Sequence, residues 1–382
     1  VPSVMDEVDG EVTVKLSKRL RQIDGILRAK DIALDELEAA SVRSVGFWQA
    51  MHKDEAGDAV ITDLARIEFA PSWETGPAWP VIQRGPEVHR FAPVRTKKGK
   101  GWRVGVALPD MQIGFMWGKD GTLVPIHDEA AIAIAIAIIR DVQPDVVVMH
   151  GDNADFAEWS RFRLSPVFAQ TTQPTIDRCT LLGQQIREAA PNARIVWLAG
   201  NHEERLPNHI LDNARAAFGL KRGQDVDGWP VLSMPNLCRF DDTRIEWLPG
   251  YPANRFALTP ELDVIHGHYT GPNGTVAKKY LAKGRKSVLF GHVHSAEHAE
   301  QTDEEGWQRV AASAGCLCRT DGLVPSTKSG TDDEGHPVTV HEDWQQGLFV
   351  IDYKPSGAFS LDRVSIRHGW ARWRGQEYGE AA

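Results

Sequence analysis

Five apolar runs in this chain stop abruptly, and each is followed at once by side chains that bind metal ions. Asp110 and Gln112 follow the run ending at Leu108, and Asp152 follows Val146-Val147-Val148-Met149. Asn201, with His202, follows 194–199; His266 follows 263–265; His292 and His294 follow 287–290. Singly, each is weak, because an Asp past a strand often only caps a turn. Five such ends in one stretch of chain are hard to explain as capping. The donors are carboxylate, amide oxygen and imidazole, a mixture that suits borderline-hard divalent ions better than a cysteine-based structural zinc.

The elements that must position these residues can be read from periodicity. Strands are expected at 102–108, 145–149, 194–199, 244–248, 263–265 and 287–290, with helices at 175–190, 206–218 and 278–283. The segment 131–137 alternates Ala and Ile, the pattern of a strand. A strand follows directly, however, and parallel strands need a crossover, so a buried helix is expected over 128–140. Beyond His294 the chain turns β-rich, at 307–312, 347–353 and 359–366, the last two joined by a Pro355-Ser356-Gly357 turn. Alternating strands and helices followed by consecutive strands predict a layered α/β fold rather than a simple Rossmann sheet. Open sheets of this class hold ligands beyond the carboxyl ends of their strands, where the five donor groups fall.

Upstream, the sequence divides into a region 1–70, a linker 71–101 and a domain 102–382. Leu16, Leu20, Ile23, Ile26 and Leu27 recur at helical spacing with basic residues between them, and Leu34, Leu37 and Val42 continue the pattern. The whole of 14–70 is expected to be mainly helical, with a turn at Ser44-Val45-Gly46. Two readings fit it equally: a helix-turn-helix-like module, or a small helical cap or oligomerisation element. Seven Pro and Gly residues from Pro71 to Pro93, then Lys97-Lys98-Gly99-Lys100-Gly101, mark the linker. The Gly-, Ser-, Asp- and Thr-rich stretch 322–341 reads as a mobile loop.

At 382 residues and a net charge of −9, the chain has ample core and no general polyanion-coating surface, so any nucleic-acid contact must come from local basic patches. Cys179, Cys238, Cys316 and Cys318 make no disulfide framework, which fits reduced thiols in a cytoplasm, and the single C-x-C is a weak metal signal. There is no apolar run of about 18 residues, the length a membrane-spanning helix needs. The opening residues lack the basic and apolar regions of a secretory leader.

Taken in order, D-x-Q (Asp110, Gln112), G-D-x-x-D (151–155), G-N-H-E (200–203), H-G-H (266–268) and G-H-x-H (291–294) resemble the motifs of the calcineurin-like metallophosphoesterases. That family spans purple acid phosphatases, nucleases and cyclic-nucleotide phosphodiesterases. The resemblance runs from about 102 to 366 and implies a four-layer α/β/β/α sandwich with two metals at the sheet edges. Carried over by position, Asp110, Gln112, Asp152 and His294 would hold the first metal. Asn201, His266 and His292 would hold the second, with Asp152 bridging. The helical start, the linker and the D-x-Q variant look like phage and prophage members, which implies a bacterial host's cytoplasm.

The departure is Gln112, where the family usually has His. A neutral amide oxygen is a weaker donor, so the first site should bind less tightly and favour Mn²⁺ over Zn²⁺, with Fe²⁺ and Mg²⁺ as other candidates. Alternatively Gln112 holds a metal-bound water. Two metals about 3.5–4 Å apart lower the pKa of a bridging water, and the resulting hydroxide attacks phosphorus in line. By resemblance His202 protonates the leaving group or steadies the transition state, making it, with Asp152, the catalytic pair. Asp155 is placed to orient a neighbouring His or ligand.

Substrate contacts are less determined. Arg161, Arg163 and Arg205 follow ligand loops and could meet phosphate, or be ordinary surface arginines. His268, two residues past a ligand, could face substrate or not. Lys278, Lys279, Tyr280, Lys283, Arg285 and Lys286 suit a nucleic-acid backbone, or form a solvated helix face. These features favour a phosphodiesterase acting on nucleic acid. The alternatives are a phosphatase or phosphodiesterase of small nucleotides, with a pocket walled by 153–174 and 221–235, and a DNA-binding or scaffold protein with a vestigial metal site.

Overall fold

The computed structural model describes residues 42–53, 59–69, 101–162, 165–325, 330–333, 336–338 and 340–379. They fall in two units, each taken by itself.

In the first, β1 (Val42–Lys53) pairs antiparallel with β2 (Ala59–Phe69), Phe47 opposite Ala65 and Trp48 opposite Leu64. This corrects the helical expectation over 42–53 and 59–69 and, with it, a helix-turn-helix built on those residues. The run supplies Val42, Val45, Phe47 and Trp48 on one strand and Val60, Ile61, Thr62 and Ile67 on the other. β-Branched and aromatic residues favour the pleated surface over a helix. The turn expected at 44–46 lies within β1, which carries an irregularity between Val42 and Ser44. Residues 14–41 and 71–100, with the helical and linker expectations placed on them, lie outside the described residues.

The second unit runs from 101 to 379. Its order is β3 (Arg103–Leu108), β4 (Phe115–Trp117), β5 (Leu123–Pro125), α1 (Glu129–Val142), β6 (Val146–Met149), α2 (Thr172–Ala189), β7 (Arg194–Leu198) and α3 (Arg205–Asn213). Two single-turn helices, α4 (Met234–Leu237) and α5 (Phe240–Thr243), precede β8 (Ile245–Leu248), β9 (Phe256–Thr259), β10 (Leu262–Ile265), α6 (Val276–Lys283) and β11 (Ser287–Phe290). Strands then dominate: β12 (Ala296–Thr302), β13 (Gln308–Ala314), β14 (Gly330–Thr331), β15 (Pro337–Val338), β16 (Gln346–Tyr353), β17 (Phe359–Arg367), β18 (Trp370–Trp373) and β19 (Gln376–Gly379).

Two sheets carry the fold. One is ordered β19-β18-β17-β16-β3-β6-β7-β8, the other β12-β13-β11-β10-β9. In the first, β3, β6, β7 and β8 are parallel, and their residues sort by alternation. Val147, Met149, Ile195 and Trp197 join a core that includes α1 and α2. Val146, Val148, Val196 and Leu198 join another that holds Leu262, Val264 and Leu289 of the second sheet. Both faces of these strands are therefore covered, which is why they read as continuous apolar runs. A third cluster packs α6 on the second sheet through Val276, Ala277, Leu281 and Phe290.

The alternating Ala-Ile segment is α1, as expected. Asp128 caps it, accepting the Ala131 N–H at 3.0 Å, and Gln143 closes it in the left-handed region at φ 48°. Its apolar residues point in almost every direction because it is enclosed: the same core contains residues of α2, the sheet, and Ala371 and Tyr378 from β18 and β19. Within the stretch read as a mobile loop, Leu323 and Val324 are buried and β14 pairs with β15. No helix among the described residues is long and apolar enough to cross a membrane.

Candidate metal centre

Strand register sets the site. Leu108 pairs with Met149, Met149 with Trp197, and in the second sheet Ile265 with Phe290, so the strands of each sheet end level. The loops beyond them deliver Asp110 and Gln112, Asp152, Asn201 and His202, His266, and His292 and His294. Turning these side chains inward puts the backbone in the left-handed region at Asp110 (φ 28°), Gln112 (49°), Asp152 (50°), His292 (70°) and His294 (57°). None is a glycine, and such conformations cost of order 1–3 kcal/mol each. Strain shared by five of seven candidate ligands marks a geometry imposed by function. Gly151 and Gly200 allow the two central loops to touch: a Cβ on Gly151 would lie 2.7 Å from Gly200 N, and one on Gly200 would lie 2.2 Å from Asp152 Oδ1.

The carboxylate of Asp152 sits between two groups. On one side its Oδ2 is 3.4 Å from Gln112 Nε2, which is itself 3.4 Å from His294 Nε2; His294 Nε2 is 3.3 Å from Asp110 Oδ1. On the other, Oδ2 is 3.2 Å from His266 Nε2, which is 3.0 Å from Asn201 Oδ1. The His266 and His292 rings lie 5.2 Å apart, and donor atoms of Asp152, His266 and His292 fall within 4.8 Å of one another. Asp110 and Asp152 are also anchored by main chain: Asp110 accepts the His292 N–H and Asp152 accepts the His202 N–H, at 3.0 and 2.8 Å.

These residues fit a divalent cation. Gln112 Oε1 and His266 Nδ1 are buried with no hydrogen-bond partner, a condition a protein tolerates rarely. Turning the Gln112 amide over would bring its oxygen to where Nε2 lies, facing Asp152 and His294. The electrostatics of the cluster are those of a cation site. Burial alone would raise the Asp152 carboxyl, yet His202 and His266 hold it well below the usual range. Burial likewise opposes charge on His266, but Asp152 and Asp110 push it up to about 9. His292 is pushed down to about 4, first by burial and then by His266. Protons and cations compete for such donors.

His202 is buried beside the cluster, with Nε2 3.6 Å from Asp152 Oδ2. Its Nδ1 lies 3.0 Å from Asp155 Oδ1 and 3.1 Å from the Asp155 carbonyl oxygen. Arg205 donates to that carbonyl at 2.7 Å and reaches 3.0 Å from His202 Nε2. Asp155 thus neighbours His202, not a candidate ligand. Arg161 is exposed and its guanidinium lies over Phe162; Arg163 lies outside the described residues. His268 is exposed, on the far side of Gly267 from His266.

Several residues around the site carried no individual sequence signal. Glu203 accepts the N–H groups of Gly200, Asp152 and Asn153 at 2.8, 2.8 and 2.9 Å, tying the two central loops together. Its presence in G-N-H-E was the available clue. Trp344 meets the His294 ring edge-on at 4.3 Å, and Cys318 Sγ lies 3.9 Å from His294 Nδ1. All four cysteines are free and buried.

Comparison with known proteins agrees with this geometry. Residues 125–296 match the calcineurin-like phosphoesterase family. Over 180 residues the chain is 26% identical to the Gene 54 protein of Mycobacterium phage L5, and likewise to that of Mycobacterium phage D29. Each alignment takes in 45% of this chain and 66% of the relative, just under two thirds of its length.

Proposed function

We propose that this chain, whose residues 125–296 match the calcineurin-like phosphoesterase family, is a member of it that hydrolyses phosphodiester bonds of nucleic acid at a centre of two divalent ions, Mn²⁺ foremost. The observation that carries the reading is the position of Asp152 between Asp110, Gln112 and His294 on one side and Asn201, His266 and His292 on the other. A carboxylate so shared suits two cations better than one. The two sheets with helical cores on their outer sides support a four-layer sandwich as the scaffold, and the phage relatives support a phage-type enzyme.

Bound there, divalent ions supply Lewis acidity and a water of lowered pKa. The chain's own residues do the rest. The Asp155 carbonyl oxygen takes the bond that orients His202 through Nδ1, with the Asp155 carboxylate alongside, and Nε2 is left toward Asp152 and Arg205. Once Arg205 Nη2 turns from His202 Nε2 to a phosphoryl oxygen, a proton on that nitrogen passes to the departing ester oxygen as the phosphorus–oxygen bond breaks. Arg205, beside it, offers a planar cation to a phosphoryl oxygen.

The test is Mn²⁺-dependent hydrolysis of a chromogenic phosphodiester beside the matching monoester, with Asp152→Ala and His202→Ala as controls. Diester turnover lost in both variants supports the proposal. Monoester preference would make the protein a phosphatase. Silence with Mn²⁺, Zn²⁺, Fe²⁺ and Mg²⁺ alike would reject catalysis and turn attention to a binding role.

A further inference from the structure

We infer that His268, Tyr269, Lys279 and Lys283 form a face that binds a second phosphate of a single-stranded nucleic acid, away from the bond being cleaved. The inference rests on the phosphodiesterase reading and names where its substrate extends.

Lys279 and Lys283 are one turn apart on α6, and both are exposed. Each ammonium lies 4.8 Å from the centroid of the same ring, Tyr269. Like charges four residues apart on a helix repel. Neither forms an ion pair with a described residue, whereas neighbouring Arg255 and Lys286 share Asp263 at 3.1 and 3.4 Å. At an exposed position the ring offsets only part of that repulsion. Two cations gathered on one ring without a counter-charge among the described residues make a place for an anion.

The face is rigid and joined to the metal centre. Tyr269 packs on Tyr280 at 4.8 Å and Tyr280 on Phe290 at 4.7 Å, the last residue of β11 before His292. The Tyr280 hydroxyl accepts the His268 N–H at 3.0 Å, holding the chain two residues beyond His266. A Cβ on Gly267 would meet that hydroxyl at 2.6 Å, so the turn must be glycine to pass. His268 leans on Tyr269, 4.2 Å between rings. Beside them opens a cleft of about 390 Å³ whose lining includes His268, Tyr269, Lys283 and Arg285, and Asp263 with its partner Arg255. Its size falls within the range of ligand clefts, roughly 300–1,000 Å³. Cations interleaved with aromatic rings are the chemistry that follows a single-stranded backbone.

The experiment compares the full chain with its Lys279→Ala/Lys283→Ala variant, and with Lys279→Arg/Lys283→Arg as rescue. Binding of a fluorescein-labelled single-stranded oligonucleotide is read by anisotropy across a salt series, and turnover is measured with that oligonucleotide and with a chromogenic diester. Loss of one neutralised phosphate should make the plot of log affinity against log salt shallower by about 0.7, with the arginine variant restoring it. The ratio of kcat/KM for oligonucleotide to that for chromogenic diester should fall tenfold or more. An unchanged slope and ratio, with both substrates turned over, would overturn the phosphate face and leave the phosphodiesterase intact. An equal slope change on duplex would overturn the single-strand assignment. If wild type turns over neither substrate, the catalytic reading fails, and the binding series alone decides whether the lysines hold phosphate.

Discussion

Glu203 accepts the main-chain N–H of Asp152 at 2.8 Å, so the loop that ends β7 fixes the conformation of the loop that ends β6. The same carboxylate takes the N–H groups of Gly200, Asn153 and Ala154 and the Trp197 indole at 2.8, 2.9, 3.3 and 3.1 Å. Burial, and then Asp152, raise its proton affinity. Every partner is a donor, and only an acceptor satisfies them all. Glu203→Gln keeps the shape but presents an amide N–H₂ to N–H groups, and is expected to lower unfolding free energy by about 3 kcal/mol. Urea denaturation measures it; a loss under about 1 kcal/mol would mean the loops hold themselves.

Gln112 carries a buried amide oxygen without a partner, while its Nε2 faces Asp152 and His294. Gln112→Leu removes the donor at similar volume. It should weaken one of two Mn²⁺ binding events by roughly 10–100-fold and leave the other in place. Gln112→His should tighten the same event and move preference toward Zn²⁺. Calorimetric titration resolves the two; identical isotherms for all three proteins would remove Gln112 from the metal centre.

His202 and Arg205 are predicted to separate kinetically. His202→Ala should cut kcat for a chromogenic diester by about 10²–10⁴-fold with Mn²⁺ stoichiometry unchanged. Arg205→Ala should act mainly on KM, since its guanidinium, held beside His202 by the Asp155 carbonyl, would pair with a phosphoryl oxygen and transfers no proton. A His202 variant that loses metal instead would make this side chain structural.

What is legible in the sequence follows from where the physics is local. The cluster of candidate ligands just beyond apolar strands is legible because β3, β6, β7, β10 and β11 are short, apolar and sharply ended. α1 can be assigned despite its alternating Ala and Ile because a parallel sheet demands a crossover there. Glu203 cannot, since its partners Asp152 and Asn153 lie 51 and 50 residues away. β12, AEHAEQT, escapes a sequence reading because it is an edge strand whose exposed His298, Glu300 and Gln301 give it no apolar signature. The β1–β2 pair reads as helix only when the Leu spacing upstream of 42 is extended into a segment whose β-branched and aromatic residues favour a strand.

Glu129, in the first turn of α1, takes Arg178 Nε and Nη2 of α2 at 2.7 and 2.6 Å and His127 Nε2 at 2.8 Å, and this cluster ties stability to pH. Burial raises the Glu129 carboxyl, but the bonds from Arg178 and His127 outweigh it and hold the group well below the usual range. The folded protein therefore binds this proton less readily than the unfolded chain, whose Glu titrates near ~4.3. The stabilisation is present in full above that value and is lost as pH falls toward the folded pKa. Arg178→Gln should lower the urea midpoint at pH 7, and the gap to wild type should narrow steadily below about pH 4 as protonation removes the same bond from wild type. Half of the Glu129 side chain is exposed, so solvent screening keeps the effect modest. A gap of constant size from about pH 7 to about pH 3 would assign the arginine's contribution to packing between α1 and α2 and not to the ion pair.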